Sequence, residues 1–193
     1  AAHDTTTSAL TMAMHLLAGH QAWQAELRQA LRAIDAETPS FEHLGSKIPL
    51  LDYTFKEVLR MYPPVPGVIR RTIRPCDIGG FEIPAHTMVS TSISATHYLE
   101  EYWQKPKTFD PMRFSDARQE HKQHKFLWAP FGGGGHKCIG MHFADMLFKS
   151  VLFNVLKNHR VRFADASQAD GKILYVPFTR PKDHLPLVLI PEP

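Results

Sequence analysis

Residues 131–140 read F-G-G-G-G-H-K-C-I-G, and no other stretch constrains this chain as tightly. Four glycines run into His136, Lys137 and Cys138. Gly140 follows, and an apolar run starts at Met141. Glycine lets a backbone turn tightly, adopt positive φ, and pass close to a flat ligand where a Cβ would clash. A thiol set just before a helix sees unpaired N–H groups and a positive dipole end, which favour thiolate over thiol. A thiolate is a soft ligand, and a single cysteine can supply the axial ligand of a haem iron. His136 and Lys137 can meet anionic groups at the rim of such a cofactor. A glycine-rich loop by itself leads more often to a buried structural cysteine. The spacing F-x-x-G-x-x-x-C-x-G is much more specific than a glycine run.

Composition narrows the classes around this loop. At 193 residues and 44% hydrophobic, the chain has the size of one ordinary globular domain. Its net charge of +3 is too mild to argue for nucleic acid. The basic residues His121, Lys122, His124, Lys125, Lys137 and Lys149 gather around the loop in sequence. They form either a solvated basic surface or a docking face for an acidic electron-transfer partner. Cys76 and Cys138 lie far apart and make no zinc-like pair. Counting leaves a disulfide open, but a reduced compartment with one ligand cysteine and one bystander is the simpler account. No apolar run reaches the roughly 18 residues of a membrane helix, and there is no signal peptide. A phosphate-cradling α/β module would need G-x-x-x-x-G-K-[ST], which is missing, and has no use for the cysteine.

Periodicity gives the elements. Residues 1–17 read as helix, with Leu10, Met14 and Leu17 at helical spacing, and Asp4 before three threonines looks like an N-cap in isolation. Residues 22–36 form a second helix, with Trp23, Leu27, Leu31 and Ile34 on one face and Glu26, Arg28 and Arg32 off it. Residues 39–46 are a short connection. Residues 48–62 form a third helix with a stripe of Leu51, Phe55, Val58 and Tyr62, ended by Pro63-Pro64. Glu57 and Arg60 share the opposite face, where an exposed pair is worth only a few tenths of a kcal/mol. Residues 65–94 have β character: Val68-Ile69 and Thr72-Ile73 in one strand, a turn at Gly79-Gly80, then strands at 81–83 and 88–93. Residues 95–103 are expected to be helical, 109–127 irregular, and 138–158 a long helix apolar on more than one stripe. Residues 160–163, 173–178 and 185–190 read as a C-terminal β region. There is no internal repeat and no low-complexity linker.

The loop resembles the haem-binding loop of the cytochrome P-450 superfamily, the haem-thiolate monooxygenases. Three other segments resemble that family in the expected order: A-A-H-D-T-T at 1–6, E-V-L-R at 57–60 and P-M-R-F at 111–114. The first looks like the oxygen-activation motif of the long central helix, the second like E-x-x-R, the third like the P-x-R-F of the meander. The resemblance covers essentially the whole chain. It implies a mainly α fold with small β-sheets (α+β), residues 1–193 being the C-terminal part of one domain cut inside the central helix. Family members are about twice this long, so the isolated chain is expected to expose much apolar surface. On that reading the chain by itself is either half an enzyme or an inactive product that does not stably bind haem.

The resemblance also implies the roles. Cys138 is the proximal iron ligand of haem b (iron protoporphyrin IX), in a loop with Phe131, Gly132, Gly134 and Gly140. Arg70 and His136 hold the haem propionates, with Arg71 as an alternative to Arg70. Asp4 and Thr5 manage protons at the oxygen site. Ala2 stands where Gly is common, and its methyl is expected to narrow the oxygen groove slightly. Glu57, Arg60 and Arg113 form a buried triad that locks the haem loop, and loss of any member should damage haem uptake. Residues 65–69 and a turn near 176–178 reach the substrate. His86 replaces a turn glycine and should strain its hairpin. The implied reaction inserts one atom of O2 into an apolar organic substrate. Electrons come from NAD(P)H through a ferredoxin- or flavodoxin-type partner or a reductase. Members that use peroxide or isomerise their substrate often lack the acid–alcohol pair, so Asp4-Thr5 argues against them. The lack of membrane features favours a soluble microbial protein in the cytoplasm.

Overall fold

The computed structural model describes residues 2–192, without the side chains of Ala2 and Asp170. Ala1 and the Ala2 methyl therefore lie outside the described residues. The helices are α1 (Ala2–Gly19), α2 (Gln21–Arg32), α3 (Pro49–Met61), the single turn α4 (Ile93–Thr96) and α5 (Met141–Asn158). The strands form antiparallel pairs: β1 (Gly67–Arg71) with β4 (Met88–Ser92), and β2 (Cys76–Ile78) with β3 (Phe81–Ile83). In the C-terminal region β5 (His159–Phe163) pairs with β8 (Leu187–Pro191), and β6 (Ile173–Leu174) with β7 (Arg180–Pro181). This is the expected mainly helical fold with small sheets.

The four long helices bury their stripes against one another. Met12, Leu16 and Leu17 of α1, Leu27 and Leu31 of α2, Leu51, Phe55 and Val58 of α3 and Phe148, Leu152 and Phe153 of α5 form one cluster. Spacings of three and four residues, with adjacent pairs at 16–17 and 152–153, put each set on one side of its helix. α3 starts on Pro49, which needs no partner for its missing N–H, and stops before Pro63-Pro64.

Arg28 was expected off the packed face of α2, yet it is buried. The reason is the end of α5, whose last carbonyls have no helical partner. Arg28 donates to the carbonyls of Leu156 at 3.0 Å and His159 at 3.0 Å, and Arg32 donates to that of Lys157 at 2.9 Å. Lys157 in turn donates to the carbonyls of Ile34 and Ala36, just past the end of α2. The polar face of α2 thus closes the end of a neighbouring helix.

Other boundaries moved too. α2 ends at Arg32 rather than 36. The 39–46 connection includes part of a π-helical turn, His43–Lys47. The expected helix over 95–103 shrinks to α4, because the Trp103 indole donates back to the Thr96 carbonyl at 3.0 Å. That fold-back buries Trp103 beside Phe114 and Leu127. β1 ends at Arg71, and the strand at Cys76–Ile78, unmarked by alternation, forms by pairing with β3. Only Ile173–Leu174 of the 173–178 run is strand.

Candidate functional site

The glycine loop is closed by its own backbone. The Cys138 N–H donates to the Phe131 carbonyl at 2.9 Å, and the Gly132 N–H to the Ala129 carbonyl at 2.9 Å. Gly132 and Gly134 adopt φ of 72° and 67°, where a side chain is strained. A Cβ on Gly133 would press on the Phe126 ring at 3.1 Å. Phe131 packs against Phe55 and Trp128, each with ring centroids 6.2 Å away, and Phe55 continues onto Phe148. The loop is therefore rooted in the helical core.

α5 begins at Met141, so Cys138 stands three residues ahead of the helix rather than in its first turn. Its thiol is exposed, which argues against a buried structural cysteine, and Cys76 is likewise free. Ile139 and Phe143 are exposed on either side of Gly140, despite their size. The apolar side of α5 is thus buried only from Phe148 onward, while its first turns carry Phe143 and Leu147 into the open.

Among the described residues, no group of three or more His, Cys, Asp or Glu could hold a bare metal ion. A metal carried inside a macrocycle needs only an axial donor from the protein, and Cys138 offers one. The glycine backbone lets a flat ring approach, and the exposed Ile139 and Phe143 supply apolar surface for it. These residues fit a haem.

Glu57 is the centre of a buried ion network. Its carboxylate accepts from Arg60 at 2.7 and 2.9 Å, from Arg113 at 3.1 Å and from the Asp110 N–H at 2.9 Å. The three side chains are fully buried. Two further members carry no sequence signal. Glu120 accepts from Arg113 at 2.8 Å and pairs with Arg118. His97 receives Arg60 on its carbonyl at 2.8 Å. Glu120 lies in the irregular 109–127 segment and His97 in the expected 95–103 helix, and no motif marks either.

The remaining candidates lie apart from this network. Asp4 is exposed in the first turn of α1, 3.3 Å from the His3 ring, and Thr5 is half-buried beside it. Arg70 is exposed on β1 and donates to its neighbour's carbonyl, Ile69, at 2.9 Å. Arg71 reaches the His86 carbonyl at 3.2 Å. His86 has φ of 61°, a conformation in which histidine is strained and glycine is not. His136 is exposed at the end of the short 3₁₀ turn Gly134–His136.

The basic cluster seen in sequence does not form one surface. Lys149 points inward, pairing with Asp145 at 2.8 Å and Asp52 at 3.1 Å. His121 is half-buried against Phe114, and burial, then Lys56 and Lys122, push its pKa down to about 4. It is neutral near pH 7. Lys122, His124, Lys125 and Lys137 remain exposed.

Comparison with known proteins places these observations in a family. The family model described as cytochrome P450 matches residues 1–179. Cytochrome P450 136 of Mycobacterium tuberculosis is 37% identical over 195 residues, covering 100% of this chain and 39% of that protein. Thromboxane-A synthase of Sus scrofa is 30% identical over 194 residues, covering 100% of this chain and 36% of that protein. The solved structure of a retinoic acid-bound cyanobacterial CYP120A1 superposes with a TM-score of 0.91 at 32% identity, covering 98% of this chain and 43% of that one. The chain thus spans about two fifths of the length of the relatives it matches.

Proposed function

Because the chain belongs to the cytochrome P450 family, we propose that it carries the haem-binding and oxygen-activating residues of a haem-thiolate monooxygenase. The overall reaction takes an apolar substrate, O2, two electrons and two protons to a product with one added oxygen atom and one water. NAD(P)H supplies the electrons through a ferredoxin- or flavodoxin-type partner or a reductase. The observation that carries this reading is the exposed Cys138 thiol, set on a glycine-built loop ahead of α5 and flanked by exposed Ile139 and Phe143.

When bound, the haem would supply reductive activation of O2, held by the Cys138 sulfur. The chain's own residues do the rest. Cys138 would be the thiolate ligand that holds the haem. The loop glycines, with Phe131 and Gly140, bring backbone close to the ring. Arg70 and His136 hold the propionates, where a guanidinium fork suits a carboxylate. Thr5 and Asp4 hold and pass protons in the first turn of α1. The Glu57–Arg60–Arg113 network holds the meander against α3 and so fixes the loop. Ile69 and Val176 offer exposed apolar surface to a substrate.

A reduced carbon monoxide difference spectrum of the full-length protein tests the reading. We expect the long-wavelength Soret band of thiolate ligation, lost in Cys138→Ala. A haem protein with an ordinary histidine-type band, or a thiolate band that survives Cys138→Ala, overturns the assignment.

A further inference from the structure

We infer that His97 is a positioning residue for the Cys138 loop, clasping the end of α3 to the backbone from which the loop departs. His97 lies just after α4 and is fully buried. Its Nδ1 is 3.0 Å from the Arg60 carbonyl, and its Nε2 is 3.2 Å from the Ala129 N–H. These partners settle the tautomer. A carbonyl only accepts, so Nδ1 carries the proton. An amide N–H only donates, so Nε2 offers its lone pair. Only a neutral imidazole satisfies both.

The clasp is reciprocal. Arg60 sends its guanidinium to the His97 carbonyl at 2.8 Å, while His97 sends its ring to the Arg60 carbonyl. One face of Arg60 is held by Glu57, so His97 is tied to the ion network through both its backbone and its side chain. From Ala129 the tie continues toward the thiol. The Ala129 carbonyl accepts the Gly132 N–H, and the Phe131 carbonyl accepts the Cys138 N–H, both at 2.9 Å. Four hydrogen bonds thus lead from α3 through His97 to Cys138, the last two along backbone that no helix or sheet otherwise fixes. Without His97, the glycine run has more freedom to drift, since glycine gives up more conformational entropy than any other residue when ordered.

The consequence for haem ligation rests on the reading of Cys138 given above, whereas the consequence for loop order does not. The test therefore has two readouts. His97→Phe keeps a ring of similar size and removes both hydrogen bonds. His97→Gln restores an amide long enough to meet the Ala129 N–H. In the full-length protein as purified, hydrogen exchange at Ala129 and Cys138 should rise about tenfold in His97→Phe, the loss of roughly one net hydrogen bond. Exchange along α1 and α2 should stay unchanged, and His97→Gln should recover part of the protection. In the haem-loaded protein, His97→Phe should convert part of the thiolate Soret band to the shorter-wavelength form. Unchanged loop exchange in His97→Phe overturns the inference. So does a rise shared equally by α1 and α2, which marks a merely structural residue. If the loop responds as expected while the wild-type protein shows no thiolate band, His97 keeps its positioning role and the proposed function fails instead.

Discussion

At the level of single side chains, burial decides charge. His97 is pushed from 6.5 to about 4, first by desolvation, then by the Arg60 guanidinium, against its hydrogen bond to the Arg60 backbone. His121 reaches about 4 as well. Both folded values lie below that of the unfolded chain. As pH falls through about 6.5, the unfolded chain takes up protons that the fold refuses until about 4, so stability declines across that window. For the fully buried His97 the total is on the order of a few kcal/mol. Urea midpoints at about pH 7 and about pH 5 should show the decline, and His97→Phe should flatten it. Cys138 is the opposite outcome: a side chain of a type usually buried stays in the open, on a loop whose four consecutive glycines offer nothing to cover it.

At the level of elements, the loop into α5 shows how local conformation and packing divide the work. Gly134 has φ of 67° with open space around it, so a methyl there costs conformation alone. Gly135 lacks positive φ and also has open space. Gly134→Ala should therefore lose roughly 1–2 kcal/mol in urea denaturation, and Gly135→Ala much less. Neighbouring glycines in one run are thus not equivalent, a distinction that four identical letters conceal. The same limit explains the misread helix over 95–103. Its local pattern allowed a helix, but burying Trp103 beside Phe114 and Leu127 outweighed one or two helical turns. β2 had no alternation to reveal it, since Cys76, Asp77 and Ile78 are all exposed and the strand exists only by pairing with β3.

For the whole molecule, the ion network matters more than any surface pair. Glu57 faces two arginines with no solvent nearby. Glu57→Gln leaves both guanidinium charges buried beside a neutral amide, at a cost of about 3–5 kcal/mol. The exposed Glu42–Lys47 pair is a control, and Glu42→Gln should cost less than about 1 kcal/mol. Chemical denaturation of the two variants checks the contrast. Large apolar side chains also remain in the open away from the loop, among them Ile73 and Phe81 near the β2–β3 hairpin and Phe41 before α3. The sequence by itself determined the four long helices, because apolar residues every three or four positions can be buried only along one side of a helix. It also determined the loop's ingredients, because positive φ at glycine and a soft sulfur donor at cysteine belong to the residue types themselves. Spacing alone reads Glu57 and Arg60 as a surface pair and the family resemblance implies their buried triad with Arg113, but only the tertiary structure decided that Glu120 joins them in the interior. It likewise turned Lys149 inward, left His121 neutral and placed His97 between α3 and Ala129. Each of these depends on partners distant in the chain, and the charge and exposure of a polar side chain follow from what surrounds it, which local pattern does not encode.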